Sequence, residues 1–169
     1  FTVADRDNVE EQYGLETTSD LAGAAGELTF GGNPDYLERE DGFPTLCKTY
    51  GLDFRNVVDI DIGLKYQALA GGDIDVTNAF TTDAQLANPD TDLVTLEDDN
   101  HLQVNYFCST VVRRDALEKF PGLEEVLMQM DGILSDGEMA ALNYQVEVEG
   151  RNERDAARDF LLQKGLLEA

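Results

Sequence analysis

The chain has 169 residues, 42% of them hydrophobic, and carries 35 acidic against 12 basic side chains, for a formal net charge of −23. This length allows one substantial hydrophobic core or two small lobes. The strong negative charge repels nucleic acid and anionic membrane surfaces, so neither is expected as a partner. No apolar run approaches membrane-spanning length, and the sequence therefore predicts a globular protein.

The acidic residues are spread through every segment of the chain rather than gathered in a tail. We interpret them as a hydrated surface suited to high salt, which suggests a halophilic source; a cation-seeking pocket is the alternative. The chain begins with Phe1 instead of Met, so we expect a processed or truncated piece. Cys47 and Cys108 form neither a CxxC motif nor a zinc spacing, so free thiols are expected, with a long-range disulfide as the alternative.

Strand-like and helix-like segments alternate through the first part of the chain. The strand candidates are residues 1–4, 27–30, 57–60, 74–80 and 93–96. Helix candidates lie between them and are each followed by glycine that can end them, namely Gly14, Gly26, Gly51 and Gly71-Gly72. This alternation predicts an α/β fold in which helices cover both faces of a mostly parallel sheet.

The stretch from Asp61 to Ala84 indicates where a ligand would bind. Ile62, Tyr66 and Leu69 recur at i, i+4 and i+7, which predicts one face of a short helix. A strand then leads to Phe80, and the hydroxyls and carboxylate that follow it are expected to cap the next helix. Ligands of open α/β sheets lie beyond the carboxyl ends of the strands, and Phe80 occupies such an end.

The last part of the chain is predicted to be helical after one more strand-like run, at residues 103–112. Leu123, Val126, Leu127 and Met130 form an apolar stripe that is typical of a core-facing helix. Ser135-Asp136-Gly137-Glu138 reads as a capping box, and a final helix is expected to start at Asn152.

Motifs for catalysis or metal binding are few. His101 is the single histidine and has no partner motif, so we expect a solvated loop residue. The sequence contains no GxSxG, P-loop, HExxH or GxGxxG motif. Asp90-x-Asp92 lacks the glycine and the distal glutamate of a calcium loop. The sequence therefore predicts a protein that is not an enzyme and that needs no metal or cofactor.

Ordered motifs cover residues 27–149 and connect the chain to a known family. They are Phe30 to Tyr36, Arg39, Asp41-Gly42, Leu46, Tyr50-Gly51, Gly63-Leu64, Tyr66 to Leu69, Gly72 to Val76, Thr82-Asp83, Leu96 to Asp99, His101, Val111 to Arg113 and Leu142 to Val146. With these motifs the chain resembles the substrate-binding proteins of the glycine betaine/choline/carnitine/proline ABC transporters.

The resemblance implies a fold similar to type 2 periplasmic binding proteins, in which two α/β lobes close on a ligand. Residues 1–105 would form the second lobe, with a mostly parallel sheet flanked by helices. Residues 106–169 would form a helical return segment to a first lobe whose upstream half lies outside this chain. We therefore expect this piece alone to associate with another copy or to expose a hydrophobic patch.

The ligands of this family carry a quaternary ammonium, which aromatic faces hold through cation–π interactions. By position, the resemblance assigns Phe1, Phe80 and Tyr106 to an aromatic cage. It assigns Arg39 to the carboxylate of a betaine ligand. Phe1 and Phe80 stand where the family usually has tyrosine, so the π faces are kept and the hydroxyl donors are lost.

Each of these four residues also has a structural interpretation. Phe80 could be a core residue, Phe1 a chain terminus, Tyr106 an ordinary strand residue, and Arg39 a surface partner of Glu38 or Glu40. The usual prolines around the cage tyrosine are also absent, since Val104, Asn105 and Thr110 occupy those positions.

The function implied by the resemblance is that of a solute-binding component of an ABC importer, with a small quaternary-ammonium ligand and a transporter permease as partners. Such a protein would be extracellular or periplasmic, and anchored to the membrane in its full-length form. The ligand stays open among choline, betaine, carnitine and proline betaine. An effector-sensing domain and an enzyme on the same two-lobe fold are the alternatives.

Overall fold

The computed structural model describes residues 2–104 and 107–168, with side chains described from Val9 onward. The chain divides into two compact units. The first comprises Phe1–Thr81 and Pro89–Asn105, and the second comprises Thr82–Asn88 and Tyr106–Ala169.

A five-stranded sheet forms the centre of the first unit. Its strands are β1 (Thr2–Arg6), β2 (Thr29–Gly32), β3 (Asn56–Asp59), β4 (Val76–Ala79) and β5 (Leu93–Leu96). The strand order is β3-β2-β4-β1-β5. β2 is parallel to both β3 and β4, whereas β1 is antiparallel to both β4 and β5. Four strands thus run in one direction with β1 inserted against them, and the predicted mostly parallel sheet is confirmed.

Four short helices connect these strands. They are α1 (Asp7–Tyr13), α2 (Pro34–Glu38), α3 (Phe43–Tyr50) and α4 (Lys65–Gly71), and two 3-10 helices cover Thr18–Gly23 and Ala25–Glu27. Gly51 and Gly72 end α3 and α4 in the left-handed conformation, with φ of 68° and 78°. Glycine adopts this conformation without a Cβ clash, which is why these two helix ends were predictable.

The main core of the first unit lies where apolar side chains of the helices meet β2 and β4. Phe30 is fully buried at its centre, and its ring centroid lies 4.6 Å from that of Phe43 and 5.2 Å from that of Phe54. In a smaller cluster, Ala68 and Leu69 of α4 pack against Ile74, which lies just before β4. Burial of these side chains supplies most of the driving force for folding.

The predicted apolar face of α4 is wrong at Ile62. The helix begins at Lys65, so Ile62 lies before it, and its side chain is exposed. Tyr66 and Leu69 do lie in the helix, and Leu69 is fully buried. The i, i+4, i+7 pattern therefore extended one turn beyond the segment that is helical.

The second unit is helical. Its elements are a 3-10 helix at Ala84–Ala87 and the helices α5 (Arg114–Lys119), α6 (Leu123–Met128), α7 (Asp136–Glu147) and α8 (Glu153–Gln163). The predicted capping box starts α7: the Glu138 amide donates to Ser135 Oγ, and the Ser135 amide donates to the Glu138 carboxylate. The predicted cap of α8 is also confirmed, because Asn152 Oδ1 accepts from the Arg154 amide. Lys164 Nζ joins the two helices by donating to Glu138 Oε1 at 2.6 Å.

Two predictions for this part of the chain are wrong. The run at 103–112 forms no strand in its described residues, and the Val111 side chain is 94% exposed. A strand needs a hydrogen-bonding neighbour, and none of the described residues of this run pairs with a strand of the sheet. The stripe on α6 is not a core face, because this helix contains no buried residue and Val126 is 61% exposed.

Among the described residues, we find no helix that combines the length and the apolar character needed to cross a bilayer.

Candidate functional site

The carboxyl ends of four strands share one edge of the sheet. β2, β3 and β4 are parallel to one another, and β5 runs in the same direction because both it and β4 are antiparallel to β1. The amino end of β1 lies at this edge as well, since Thr2 pairs with Ala79. We call this the carboxyl edge. It is the position at which open α/β sheets place their ligands.

Phe80 lies at the carboxyl edge, directly after the last residue of β4. β4 itself is completely buried, whereas the Phe80 side chain is half-buried. The predicted position of Phe80 at a strand end is thus confirmed, and its ring is not enclosed in the core as Phe30 is. Its role in a cage stays a prediction.

Lys65 lies beside Phe80, a contact that the sequence analysis did not predict. The Lys65 side chain is 3% exposed, and its Nζ donates to the main-chain oxygen of Asn78 at 2.9 Å. The same Nζ lies 5.7 Å from the centroid of the Phe80 ring and 4.8 Å from that of Tyr66. Both distances are in the range of cation–π interactions. A lysine that opens a surface-like helix gives no local signal that it will be buried.

Asn78 adds a second buried polar group near the end of β4. Its side chain is 2% exposed, and its Oδ1 has no hydrogen-bond partner among the described residues. Buried polar atoms without a partner are rare in folded proteins, and they mark positions where water or a ligand can supply the missing bond. Buried polar groups and an aromatic ring therefore lie side by side at the end of β4.

Arg39 follows α2, which is separated from the end of β2 by one residue, Asn33. Its Nε and NH2 donate to the two carboxylate oxygens of Asp41 at 2.9 and 2.8 Å, and its NH1 lies 3.6 Å from Asp35. These contacts join Arg39 to Asp35 and Asp41, whereas the sequence suggested Glu38 or Glu40 as its partner. The hydrogen bonds from Arg39 lower the pKa of the Asp41 carboxyl. A ligand carboxylate would have to compete with Asp41 for this guanidinium.

Phe1 and Tyr106, the other two predicted cage residues, lie outside the described residues. Next to Tyr106 in the sequence, Phe107 is described and its side chain is 84% exposed. The described residues therefore do not show whether the four predicted side chains lie together, and their joint role stays a prediction.

Asp98 fastens the loop that follows β5. Its carboxylate accepts from the Tyr50 hydroxyl, from the Leu102 amide at 3.0 Å and from the Gln103 amide at 2.7 Å. Burial raises the pKa of Asp98, but the hydrogen bonds from Tyr50, Gln103 and Leu102 outweigh it and lower the pKa overall. The loop is thereby held to α3 up to a point three residues before Tyr106 in the sequence.

His101 lies in this loop and is exposed, as predicted for a solvated loop histidine. It has a positive φ of 51°, and its amide donates to the Asp98 main-chain oxygen at 2.9 Å.

The five-stranded sheet and the helices that flank it give the chain the α/β fold of type 2 periplasmic binding proteins. The chain belongs to the family described as the substrate binding domain of the ABC-type glycine betaine transport system, which matches residues 2–163. The family resemblance and the fold class predicted from the sequence are confirmed. The family is one of solute-binding proteins, which also confirms the prediction that the chain is not an enzyme.

Two curated relatives illustrate this similarity. An ergothioneine transport permease/ergothioneine binding protein of Helicobacter pylori (strain G27) is 38% identical over 156 residues, which cover 92% of this chain and 28% of that protein. A carnitine transport binding protein of Listeria monocytogenes is 30% identical over 164 residues, covering 96% of this chain and 53% of that protein. The chain thus spans about half the length, or less, of these curated relatives.

A solved structure is also similar to this chain. The crystal structure of a glycine betaine/carnitine/choline ABC transporter superposes with a TM-score of 0.84 at 31% sequence identity. The superposition covers 99% of this chain and 61% of that one.

Proposed function

We propose that this chain is part of an extracytoplasmic solute-binding protein that delivers a quaternary-ammonium solute to an ABC transporter permease. The observation that carries the proposal is the family match, which extends over residues 2–163 and thus over nearly the whole chain. The ligand would shift an equilibrium between open and closed forms by contacting both lobes, and the closed form would dock on the permease. Membrane anchoring of the full-length protein belongs to this proposal.

The chemistry shared by the relatives' ligands supports the ligand class. Glycine betaine, carnitine, choline and ergothioneine, which appear in the names of these relatives, all contain a trimethylammonium group. This group has no N–H to donate, so a protein recognises its spread positive charge with aromatic faces. All of these ligands except choline also carry a carboxylate, so a second, cationic element is expected in the site of a protein that selects them.

Phe80 is the residue on which the proposed aromatic cage is centred. It lies half-buried at the carboxyl edge, where a ligand could reach its ring. The first residue of β1, Thr2, pairs with the residue before Phe80, and Phe1 precedes Thr2 in the chain. We therefore propose Phe1 as the second ring of the cage and Tyr106 as the third, with Arg39 as the partner of a ligand carboxylate.

The domain assignment is also a proposal. We propose that residues 1–105 belong to one lobe and that residues 106–169 return to the other. Exposed apolar side chains in the second unit support this, because Phe120, Val126, Met128 and Met130 are all exposed and would find a cover in the rest of a longer protein. We therefore expect a piece limited to these 169 residues either to self-associate, which light scattering over a concentration series measures, or to stay monomeric and bind a hydrophobic dye through this patch; a monodisperse monomer that binds no dye contradicts the assignment.

Calorimetric titration of the complete protein tests the cage. Phe80→Ala should weaken the binding of glycine betaine by at least about tenfold, because a desolvated cation–π contact contributes about 2 kcal/mol. Phe80→Tyr keeps the π face and should bind about as tightly as the wild type. Phe120→Ala removes an exposed ring that also lies beneath a lysine, and it serves as the matched control.

The same titration tests Arg39. Arg39→Ala should weaken the binding of glycine betaine more than that of choline, because choline has no carboxylate to lose a partner. Equal losses for the two ligands remove Arg39 from this role. Unchanged affinity in Phe80→Ala removes Phe80 from the cage.

A further inference from the structure

Asn78 carries a buried side-chain oxygen that the fold leaves unpaired. The side chain is 2% exposed, and its Oδ1 accepts no hydrogen bond from any of the residues that the structure describes. An acceptor that loses its water on folding and gains no partner lowers the stability of the protein, so such atoms are uncommon. A leucine of similar size would fill the same space without this loss, and the presence of an amide here therefore needs another reason.

The neighbours of Asn78 in β4 show that burial in this strand does not by itself leave a polar group unpaired. Val76, Thr77 and Ala79 are all fully buried. Thr77 is the other polar side chain of the strand, and its Oγ1 donates to the main-chain oxygen of Gly31 at 2.7 Å. Successive side chains of a strand point to opposite faces of the sheet, so Asn78 faces away from this bond. Thr77 is thus satisfied within the fold, whereas Oδ1 of Asn78 is not.

Asn78 lies close to the ring on which the proposed cage is centred. It precedes Phe80 by two residues, which span about 7 Å of extended chain. Lys65 Nζ contacts both residues, because it donates to the main-chain oxygen of Asn78 at 2.9 Å and lies 5.7 Å from the centroid of the Phe80 ring. Phe80 is half-buried and Asn78 is buried, so the unpaired oxygen lies deeper in the sheet than the ring.

We infer that Asn78 Oδ1 accepts a hydrogen bond from the ligand, so that the site favours quaternary-ammonium solutes that carry a hydroxyl group near the charged nitrogen. The inference rests on the proposed function, since it assumes that the ammonium binds on Phe80. It adds a specificity-determining residue to that site. Phe80 and Arg39 cannot take this role, because a phenylalanine ring has no polar atom and a guanidinium only donates hydrogen bonds.

The candidate ligands differ in this hydroxyl group. Choline and carnitine both carry it on the second carbon from the quaternary nitrogen, whereas glycine betaine has none. Because the spacing from the ammonium is the same in both, one acceptor beside the ring can serve either ligand. A ligand without the hydroxyl leaves Oδ1 unpaired in a site from which it has displaced water, and this should weaken its binding by roughly tenfold.

The test uses calorimetric titration of the complete protein with two pairs of ligands that differ by this hydroxyl. Carnitine is compared with γ-butyrobetaine, which has a hydrogen atom in its place and keeps both charges. Choline is compared with propyltrimethylammonium, in which a methyl group replaces it. In the wild type, the hydroxyl-bearing ligand should bind at least about tenfold more tightly than its partner in the pair. Asn78→Leu keeps the approximate size of the side chain and removes the acceptor, and it should lower this affinity ratio by roughly tenfold.

Thr77→Val is the matched control, in the same strand. It removes a buried hydroxyl that is bonded within the fold, so it should lower the free energy of unfolding and leave the affinity ratio unchanged. Urea denaturation of the ligand-free variants measures their stability and shows that each one folds. If Asn78→Leu does not fold, the ratio measured for Asn78→Ala decides in the same way.

The outcomes separate this inference from the function on which it rests. An unchanged ratio in Asn78→Leu overturns the inference while the proposed function stands, and a loss of stability in the same variant would then assign Oδ1 to a bound water. A wild type that binds glycine betaine but does not prefer the hydroxyl-bearing ligands also overturns it. A wild type that binds neither glycine betaine nor any of the four paired ligands overturns the proposed function and this inference with it.

Discussion

Replacing Tyr50 with phenylalanine should loosen the loop that follows β5. The Tyr50 side chain is buried, and its hydroxyl donates to Asp98 and accepts from the Asn100 amide at 3.2 Å. The variant removes one oxygen and leaves the ring to fill the same space in the core. Its effect therefore measures the hydrogen bonds and not the packing.

The expected magnitude follows from the geometry around Asp98. A hydrogen bond to a charged group contributes about 1.5–3 kcal/mol, and the amide of Asn100 also loses its acceptor. The carboxylate keeps two amide donors, from Leu102 and Gln103, and is only half-buried, so we place the loss at about 2 kcal/mol. For a chain of this length, such a loss lowers the melting temperature by roughly 4–8 °C.

Urea denaturation at neutral pH measures this loss, with Tyr13→Phe as the matched control. The Tyr13 hydroxyl donates to Glu27 at 3.0 Å in an exposed position, so its removal should change the free energy of unfolding by less than about 0.5 kcal/mol. The reasoning about the loop is refuted if the two variants are destabilised equally.

The destabilisation caused by Tyr50→Phe should depend on pH. The pKa of Asp98 is lowered in the folded protein, so the stability that its ionised form contributes is present above the ordinary aspartate pKa of about 3.9. This contribution is lost as the pH falls through the lower, folded-state pKa. The difference between the wild type and Tyr50→Phe should therefore narrow in strongly acidic solution, and a difference that is constant with pH contradicts the assignment.

Two further predictions concern other parts of the chain. Gly42→Ala would place a Cβ 2.3 Å from the main-chain oxygen of Tyr36, so urea denaturation should show that the free energy of unfolding falls by about 2 kcal/mol or more. Gly23→Ala is the control. Its Cβ would meet no atom within 4 Å, and the free energy of unfolding should fall by less than about 1 kcal/mol. The hydrogen bond from Lys164 is the largest of the effects that lower the pKa of Glu138 to about 2. An NMR titration should find this pKa for Glu138 in the wild type and a rise toward the ordinary glutamate pKa of about 4.3 in Lys164→Met. The stability that ionised Glu138 contributes should be present above about pH 4.3 and should be lost as the pH falls toward about 2.

Features that depend on a few neighbouring residues were predictable from the sequence. The glycines that end α3 and α4 act through their own backbone conformation, and the box that starts α7 joins Ser135 to Glu138, three residues away. β5 was predicted with its observed bounds, because a short apolar, β-branched run between acidic residues identifies it locally.

Features that depend on distant partners were not predictable. The burial of Lys65 depends on Asn78 and Phe80, more than ten residues further along the chain, and no pattern around the lysine indicates it. Val57 and Val58 are apolar, yet both are exposed because β3 is an edge strand. The partners of Arg39 depend on which nearby carboxylates the turn after α2 presents, and spacing alone did not select Asp41. The strand pattern placed Phe80 at a carboxyl strand end, but its role in an aromatic cage came from the family resemblance alone.

The central claim is that an aromatic site recognises the positive charge of a quaternary ammonium and not merely its shape. The most direct measurement is a calorimetric comparison of glycine betaine with 3,3-dimethylbutanoate, in which a carbon atom replaces the quaternary nitrogen of betaine in the same shape. The cation–π account predicts that the complete protein binds glycine betaine at least about tenfold more tightly than its carbon analogue. Equal affinity for the two compounds, or tighter binding of the carbon analogue, would contradict it.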